Sequence, residues 1–309
     1  MILCCGEALI DMLPSQTADG QSCFVPHPGG AVFNTAIALG RLGVDAGLLT
    51  GLSSDLFGLQ LRRSLKCSHV DTRHAVSTER PTTLAFVALQ DGQASYSFFD
   101  ENSALRMLSD EEIPALDPEI DCLFFGGISL ASEPCADTFA RLLAREGETR
   151  LAMLDPNIRP SFIADEGRFR GRIKRMMEKC DIVKVSDEDL DWLVPRPQTI
   201  REQLQSILGL GPSLVVATMG SAGAIAMSSA GIDVETPAVN ADVVDTVGAG
   251  DTFNAGFLAG LSRQNKLSRS GIEELSDAEL ESALGLGSAA AAVTVSRAGA
   301  NPPWNRELV

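Results

Sequence analysis

Positive charge is scarce in this sequence. Its 309 residues include 25 Lys and Arg against 41 Asp and Glu, so the net charge is −16. Nucleic acids and anionic membranes attract basic surfaces, and the composition therefore argues against both as partners. No uncharged apolar stretch is convincing as a membrane span, and the Ala-rich segment at 283–295 is better interpreted as a packed helix.

Cysteine is also used sparsely, with seven scattered residues and no C-x-x-C pair. This pattern predicts neither a zinc site nor a disulfide framework, and it fits a reducing compartment. The first residues, MILCC, lack the basic segment of a signal peptide and lead directly to acidic residues. We therefore expect a cytoplasmic protein.

Two common nucleotide-binding sequences are absent. The chain has no G-x-x-x-x-G-K-[ST] phosphate loop and no G-x-G-x-x-G dinucleotide fingerprint between a strand and a helix. Apolar residues make up 45% of the sequence, which is ample for a folded core, and the length allows one large α/β domain or two smaller ones. Since no repeat, low-complexity tract or long linker divides the chain, we predict a single domain over 1–309.

The most informative stretch lies at 240–258. An apolar segment, interpreted as a strand, ends at Asp245; a tight turn follows at 248–250, and the residues after Asp251 have the pattern of a buried helix. Glycines allow a sharp turn between strand and helix, and the free amides of a helix N-terminus attract an anion. Asp251 could cap this helix, or it could take a proton from a hydroxyl while the amides hold phosphoryl charge. The pattern alone favours neither role.

Four motifs occur in order along the chain: GEALID at 6–11, GGAVFNTAIALGRLG at 29–43, DPNIR at 155–159 and DTVGAGD at 245–251. The second and fourth resemble the two signatures of the PfkB, or ribokinase-like, carbohydrate kinases, and the other two fit the sugar-kinase branch. The resemblance covers essentially the whole chain. It implies an ATP-dependent kinase that acts on a sugar hydroxyl, with Asp251 as the base and Gly248, Ala249 and Gly250 as the anion hole.

The same resemblance assigns residues to the sugar. Asp11 would accept hydrogen bonds from sugar hydroxyls, although by position alone it could be a solvated residue just past the first strand. The helix after Gly29 and Gly30 would present its amides and the Asn34 side chain to the sugar. An Asn in the first turns of a helix is otherwise often merely solvated.

Two further residues are candidates for the substrate site. Phe98 belongs to a predicted lid strand that would lie over the sugar. Arg159 follows a strand predicted at 151–154, where a lone Arg is usually part of a surface ion pair. Its DPNIR frame implies instead that it binds substrate or stabilises phosphoryl charge.

The resemblance places seven residues near the nucleotide, which are Lys184, Ser186, Thr218, Gly220, Gly223, Gly248 and Gly250. A plain tight hairpin is the alternative interpretation of the turn at 220–223. Many relatives carry N-x-x-E where this chain has Ser186 and Asp189. Asp189 is therefore a candidate for assisting Mg²⁺ through water, and an ordinary helix cap with acids in its first turn is the alternative.

A monovalent cation is the last ligand that the resemblance implies. Backbone carbonyls near Asp245, Val247 and Arg297 would hold it, and K⁺ is the expected ion. Together with ATP and Mg²⁺, this completes the set of predicted cofactors.

The alternation of strands and helices predicts a doubly wound, mostly parallel sheet with helices on both faces. Strands predicted at 70–78, 82–89 and 95–99 follow one another without helices, and Asp91-Gly92 is a hairpin turn signal. This break predicts a small β-sheet lid, inserted into the α/β domain at about 12–28 and 70–104. An open lid sheet could pair with that of a second copy, which would give a homodimer.

Within this family we expect a fructokinase-like enzyme. Relatives that phosphorylate 2-keto-3-deoxygluconate usually carry Arg at the position of Asp100, where it can pair with the carboxylate of the sugar. An acidic residue there favours a neutral sugar, and fructose is the expected one. The alternatives are a 2-keto-3-deoxygluconate kinase and a sugar-binding protein without catalysis, although the latter has no need of the intact 248–251 turn.

Overall fold

Short apolar strands alternate with helices along most of the chain. The computed structural model describes residues 1–90, 93–195 and 199–308, with the backbone alone for 88–90 and 93–96. The predicted Asp91-Gly92 turn therefore lies outside the described residues. The strands are β1 (Ile2–Cys5), β2 (Leu9–Gln16), β3 (Ser22–Gly29), β4 (Ala46–Leu49), β5 (Gly51–Ser53), β6 (Val76–Thr78), β7 (Leu84–Gln90), β8 (Gln93–Phe99), β9 (Cys122–Gly126), β10 (Leu151–Asp155), β11 (Ile182–Ser186), β12 (Leu214–Thr218), β13 (Ala224–Ser228) and β14 (Asp233–Thr236). The α-helices are α1 (Ala31–Arg41), α2 (Leu56–Cys67), α3 (Cys135–Glu146), α4 (Glu166–Met177), α5 (Asp187–Leu193), α6 (Ile200–Leu208), α7 (Ala249–Arg263), α8 (Arg269–Glu273) and α9 (Asp277–Val295).

The large sheet has the strand order β14-β13-β12-β11-β10-β9-β1-β4. Its strands from β4 to β12 are parallel, and β13 and β14 are antiparallel. Successive side chains point to opposite faces, so Ile2 belongs to one hydrophobic core and Leu3 to the other. Helices α1, α7 and α9 contribute to the first core, and α3, α4 and α6 to the second. The predicted doubly wound, mostly parallel fold is thus confirmed.

A second sheet, the lid sheet, has the strand order β3-β2-β7-β8. β2 pairs antiparallel with β3 and parallel with β7, and β7 pairs antiparallel with β8. The predicted small sheet is confirmed, but the strand predicted at 70–78 is shorter than expected and does not belong to this sheet. Only Val76–Thr78 is a strand there, and it pairs with β5. The amides of Val70 and Asp71 donate instead to the carbonyls of Leu65 and Ala46, which ties this segment to the main domain.

One edge of the large sheet collects the carboxyl ends of its parallel strands. The chain goes from β1 to its neighbour β4 on one side and later enters β9 on the other side. Ligands of open α/β sheets bind in the crevice at such a reversal. Glu7 follows β1, Gly126 ends β9, and Asp155 ends β10 directly opposite Gly126. The crevice therefore lies among residues of the first and third sequence motifs.

An irregular segment, and not a strand, leads into α7. The amides of Val244 and Asp245 donate to the carbonyl of Val295 at the end of α9, at 2.8 and 3.2 Å. Val243 and Val244 are 66% and 64% exposed, so their apolar character does not mark a buried strand. The strand predicted before the glycine turn is therefore wrong.

Among the described residues, no helix combines the length and the apolar composition that a membrane crossing requires.

Candidate active site

The amino end of α7 is open. Gly248 is its N-cap, with φ 78° and ψ 3°, and no side chain accepts a hydrogen bond there. A Cβ at this position would lie 2.7 Å from the Cβ of Ala300, so both the backbone conformation and the space require glycine. Within the described structure the amides of Gly250 and Asp251 have no hydrogen-bond acceptor. Such a helix N-terminus attracts an anion.

Asp251 lies in the first turn of α7 and is only 8% exposed. Its Oδ2 accepts a hydrogen bond of 2.9 Å from Nδ2 of Asn34 on α1 and none from the amides of its own turn. Burial, with smaller contributions from the charges of Asp155 and Glu7, raises the pKa of Asp251 to about 7, although Asn34 opposes the shift. The geometry therefore does not support the helix-cap interpretation, and a carboxylate with a pKa near neutrality suits a general base.

The amino end of α1 meets that of α7 through the Asn34–Asp251 bond. Gly30 is the N-cap of α1, with φ 107°, and the first helical amide, that of Ala31, donates to Oε1 of Glu7 at 2.9 Å. The terminus of α1 is thus already filled by a carboxylate of the protein.

Asp11 borders the same terminus from the lid sheet. It lies inside β2, and not just past the first strand as predicted, because β2 begins at Leu9. A Cβ at Gly29 would overlap Oδ2 of Asp11, so the first glycine of the pair makes room for this carboxylate. Burial, and then the charge of Glu7, raises the pKa of Asp11 to about 6.

A buried polar cluster supports the α7 turn from beneath. Oδ2 of Asp155 accepts hydrogen bonds from Nζ of Lys184 at 3.1 Å and from Nδ2 of Asn254 at 2.6 Å. Oδ1 of Asp155 is buried and has no partner among the described residues. Lys184 Nζ would lie 3.5 Å from a Cβ at Gly250, which places this ammonium group beside the open amides.

Three members of these clusters were missed by sequence reasoning as site residues: Glu7, Asp155 and Asn254. Each lies inside a quoted motif or beside one, so the signal was present in the sequence. None of these three motifs indicates, however, that the side chains are buried near the same crevice.

Asp189 takes part in a helix cap. Its Oδ2 accepts from the amide of Ser186 at 3.1 Å, and Oγ of Ser186 accepts from the amide of Asp189 at 3.0 Å. Its Oδ1 accepts from the amide of Ile158 at 2.7 Å. Burial, followed by the charge of Asp155, raises the pKa of Asp189. Both oxygens are therefore occupied by backbone donors, as in the alternative interpretation of this motif.

A cavity of about 380 Å³ adjoins the α7 turn, and Asp11 is not among its lining residues. Its walls include the predicted nucleotide residues Thr218, Gly220 and Gly223, together with Gly250. Small residues of α9, among them Ala291, form another wall. A Cβ at Gly223 would overlap the carbonyl of Thr236, so this glycine permits close packing of the turn. The volume and the adjacent free amides fit a nucleotide whose phosphates point to α7.

Other predicted residues lie further from the two helix termini. Arg159 is exposed, and its Nη1 donates to the carbonyl of Ile158 at 3.0 Å. The ring of Phe98 packs edge-on against Phe162, with centroids 4.1 Å apart, so the lid sheet contacts the loop after β10.

The predicted cation site lies where two loops are joined. Oδ1 of Asp245 accepts from the amide of Val247 at 3.0 Å, and its Oδ2 accepts from the amide of Gly299 at 2.8 Å. The side chain of Arg297 turns away to form an ion pair with Glu307 at 2.6 Å.

Asp100 does not have the free charge that its position suggested. Its Oδ1 pairs with Nη1 of Arg106 at 2.9 Å, and its Oδ2 accepts from Oγ of Ser132 at 3.3 Å. A neighbouring guanidinium compensates the carboxylate, which the sequence pattern did not reveal. The argument that Asp100 repels an acidic sugar is therefore corrected.

Comparison with known proteins bears on this site. Residues 1–307 match the model of the pfkB family carbohydrate kinase. Over 281 residues the chain is 48% identical to a fructokinase from Rhizobium leguminosarum bv. trifolii, covering 91% of this chain and 85% of the relative. The structure resembles fructokinase with bound ATP from Xylella fastidiosa, with a TM-score of 0.89 and 28% identity over 99% of this chain and 97% of that one. It also resembles a fructokinase double mutant from Vibrio cholerae O395 with fructose, ADP and potassium ion bound, with a TM-score of 0.83 and 25% identity over 97% and 93% of the two chains.

Proposed function

Since the chain belongs to the pfkB family of carbohydrate kinases, we propose that it is a fructokinase, which transfers the γ-phosphate of ATP to a hydroxyl of fructose. The observation that carries this proposal is the position of Asp251. It stands between the nucleotide cavity and the Asn34–Asp11 side of the crevice, on the helix terminus that has free amides. A kinase needs its base at this boundary.

In the proposed reaction, Asp251 takes the proton of the sugar hydroxyl as its oxygen attacks the γ-phosphorus. Asn34 holds the carboxylate in place through its 2.9 Å hydrogen bond. The free amides of Gly250 and Asp251 then stabilise the charge on the transferring phosphoryl group, and Lys184 adds a positive charge beside them. The amide of Ala249, which the resemblance includes in the anion hole, already donates to the carbonyl of Thr246 at 3.3 Å. Because phosphoryl transfer requires little covalent work by the protein, positioning and electrostatics account for most of the rate.

The acidic groups near the α7 turn fit Mg²⁺. Among the described residues, no group of three or more His, Cys, Asp or Glu side chains forms a metal cage. Magnesium in kinases is instead held by substrate phosphates and one or two carboxylates, often through water. Asp155, whose Oδ1 has no partner, fits this role better than Asp189, whose oxygens are both occupied. When bound, Mg²⁺ shares the charge of the triphosphate.

The monovalent cation remains part of the proposal. Asp245 joins the loop at 245–247 to the loop near Gly299, which supports a cation held by carbonyls between them. Replacing K⁺ by Na⁺ should then change the rate at a fixed Mg²⁺ concentration. An unchanged rate would remove the cation site and leave the kinase assignment standing.

A neutral sugar is favoured by the charge of the crevice. Glu7, Asp11 and Asp251 all border it, and each has a raised pKa because burial disfavours its charged form. A carboxylate on the substrate would add to this acidity, since like charges in a dry site repel. Asp100 and Arg106 neutralise each other, so this pair favours neither a neutral nor an acidic sugar.

We infer that Arg159 and Phe98 reach the substrate when the lid sheet closes over it.

An ADP-release assay over a panel of sugars tests the function. We expect faster phosphorylation of fructose than of 2-keto-3-deoxygluconate at matched sub-saturating concentrations, and no ADP release without sugar beyond a slow background. A preference for the acidic sugar would support a 2-keto-3-deoxygluconate kinase. Binding of sugar without any ADP release would indicate a sugar-binding protein.

Three further expectations belong to the same proposal. We infer a single domain over 1–309, because the lid strands are inserted between elements of the large sheet. A homodimer through the lid sheet is supported by Phe24 and Phe99, which are 48% and 62% exposed and flank Phe86 on one face. A cytoplasmic location is supported by the seven cysteines, all of them free thiols.

A further inference from the structure

Glu7 is a buried carboxylate that the proposed reaction does not use. It is 1% exposed and follows β1 at the reversal of strand order between β1 and β9. Burying a charge without compensation is costly, so such a residue is expected to be held by donors. Its donors come from two separate loops.

The first loop is the start of α1. The amide of Ala31 donates to Oε1 of Glu7 at 2.9 Å, and the amide of Phe33 donates to the carbonyl of Glu7 at 3.0 Å. The second loop follows β9. There the amide of Ser129 donates to Oε2 of Glu7 at 3.3 Å. One carboxylate therefore joins two loops that border the sugar side of the crevice.

Glycines flank Glu7 in both loops. A Cβ at Gly30 would lie 2.9 Å from Cγ of Glu7, and a Cβ at Gly127 would overlap its carboxylate. Both glycines also have positive φ, 107° and 70°, which other residues rarely adopt. Each loop thus approaches the Glu7 side chain as closely as its backbone allows.

Glu7 also acts on the neighbouring acids through its charge. The charges facing Asp251 are Asp155, Glu7 and Lys184, and Glu7 is one of two that raise its pKa. Glu7 raises the pKa of Asp11 as well, and His27 of β3 lies opposite Asp11 in the lid sheet. Removal of the Glu7 charge would therefore be felt at both carboxylates.

We propose that Glu7 is a positioning residue for the sugar, which holds the loops at 29–31 and 127–129 in the arrangement that sugar binding requires. This inference rests on the proposed sugar kinase function. The nucleotide cavity is lined by residues from 218 onward, so Glu7 has no part in it.

Glu7→Gln tests the proposal. The amide of glutamine can accept from one of the two loops, but its NH₂ group faces the donor of the other. We expect the sugar KM to rise roughly 5- to 100-fold, the range for a buried donor left unpaired, while the ATP KM stays within about twofold. The acidic limb of the kcat/KM profile should move to lower pH, because the pKa values of Asp11 and Asp251 fall when the charge is lost.

Glu133→Gln is the matched control. Glu133 lies on the same loop after β9 and pairs with the fully buried Arg172 of α4. It should lower thermal stability without changing the sugar KM or the pH profile. If Glu7→Gln also leaves both unchanged, Glu7 serves folding alone and the proposal is wrong.

Two further measurements keep the test decisive. Should Glu7→Gln fail to fold, Glu7→Asp keeps the charge but is too short for both loops, so its sugar KM should rise while the acidic limb stays in place. Amide hydrogen exchange of the ligand-free protein should accelerate at both 29–33 and 127–131 in either variant. This readout is independent of the substrate, so it separates failure of the Glu7 role from failure of the proposed function.

Discussion

The amino ends of α1 and α7 share an N-cap glycine and differ in what fills them. Both helices begin after a glycine with positive φ, Gly30 and Gly248, whereas α2, α4, α6, α8 and α9 begin after an Asp, Thr or Ser whose side chain accepts a first-turn amide. At α1 the carboxylate of Glu7 takes that place. At α7 no side chain does.

Because of this difference, the two termini suit different ligands. An open helix N-terminus attracts an anion, and a phosphoryl group is the anion that a kinase must hold. A terminus already occupied by a carboxylate has no such attraction, and it suits a neutral hydroxyl. The glycine turn is common to both termini, so it is the free amides of α7 that support the proposed phosphate site there.

The largest expected effect comes from the residue where the two termini meet. Asp251→Asn removes the base but can keep a hydrogen bond to Asn34, so ATP and sugar should still bind. Turnover should fall by roughly 10² to 10⁴, the range for loss of a general base. Steady-state kinetics with calorimetric binding of each substrate measures this. Turnover close to that of the parent would assign Asp251 to helix capping.

The thermal stability of the same variant shows whether the loss of turnover comes from misfolding. The pKa of Asp251 rises from its ordinary value of 3.8 to about 7, so between these values the folded protein binds a proton that the unfolded chain has released. That proton stabilises the fold, and its contribution is lost as the pH rises through 7. Asp251→Asn should therefore unfold at a higher temperature than the parent at pH 8, with a smaller difference at pH 5.

A second prediction makes the α7 terminus resemble that of α1. Ala249→Asp would place a carboxylate in the first turn of α7, beside the free amides. The ATP KM should rise roughly 5- to 30-fold, since charge at a helix terminus is worth about 1–2 kcal/mol in a partly buried site. Ala249→Asn has the same shape without the charge, and it should change the ATP KM much less. Equal effects of the two variants would contradict the electrostatic explanation.

The smallest effect is expected from Gly29→Ala, just before α1. The added methyl group would push against Asp11, so the sugar KM should rise roughly 2- to 12-fold, as for the loss of one hydrogen bond, with the ATP KM unchanged. Gly285→Ala is the control, because a Cβ there meets nothing within 4 Å. It should leave both KM values alone and stabilise α9 by about 0.5–1 kcal/mol. If Gly29→Ala raised the sugar KM and the ATP KM by similar factors, the two helix termini would not serve different substrates.

The sequence predicted those features that are local in the chain. The two sheets and the glycine turn before α7 follow from short patterns, and the family signatures identify Asp251 and Asn34. What escaped prediction depends on long-range contacts. The partner of Asp100 is Arg106, and the donors to Asp155 come from β11 and α7. No local pattern states which side chains meet across a crevice.

The failed strand predictions have a related cause. Val243 and Val244 are apolar, as strand residues often are, but both are exposed, and Val243 lines the cavity beside the α7 turn. The segment at 70–75 has strand-like composition, yet its amides bond to α2 and β4. In both segments, tertiary hydrogen bonds override the local preference for a strand.

The raised pKa of Asp251 has a consequence for the proposed reaction. A general base must be ionised to accept the proton of the sugar hydroxyl. With a pKa raised to about 7 by burial, a fall of one pH unit below that value leaves about a tenth of the free enzyme with an ionised Asp251. The burial that raises this pKa would therefore make the rate of the proposed kinase fall with mild acidification, within the range of pH where an ordinary aspartate stays ionised.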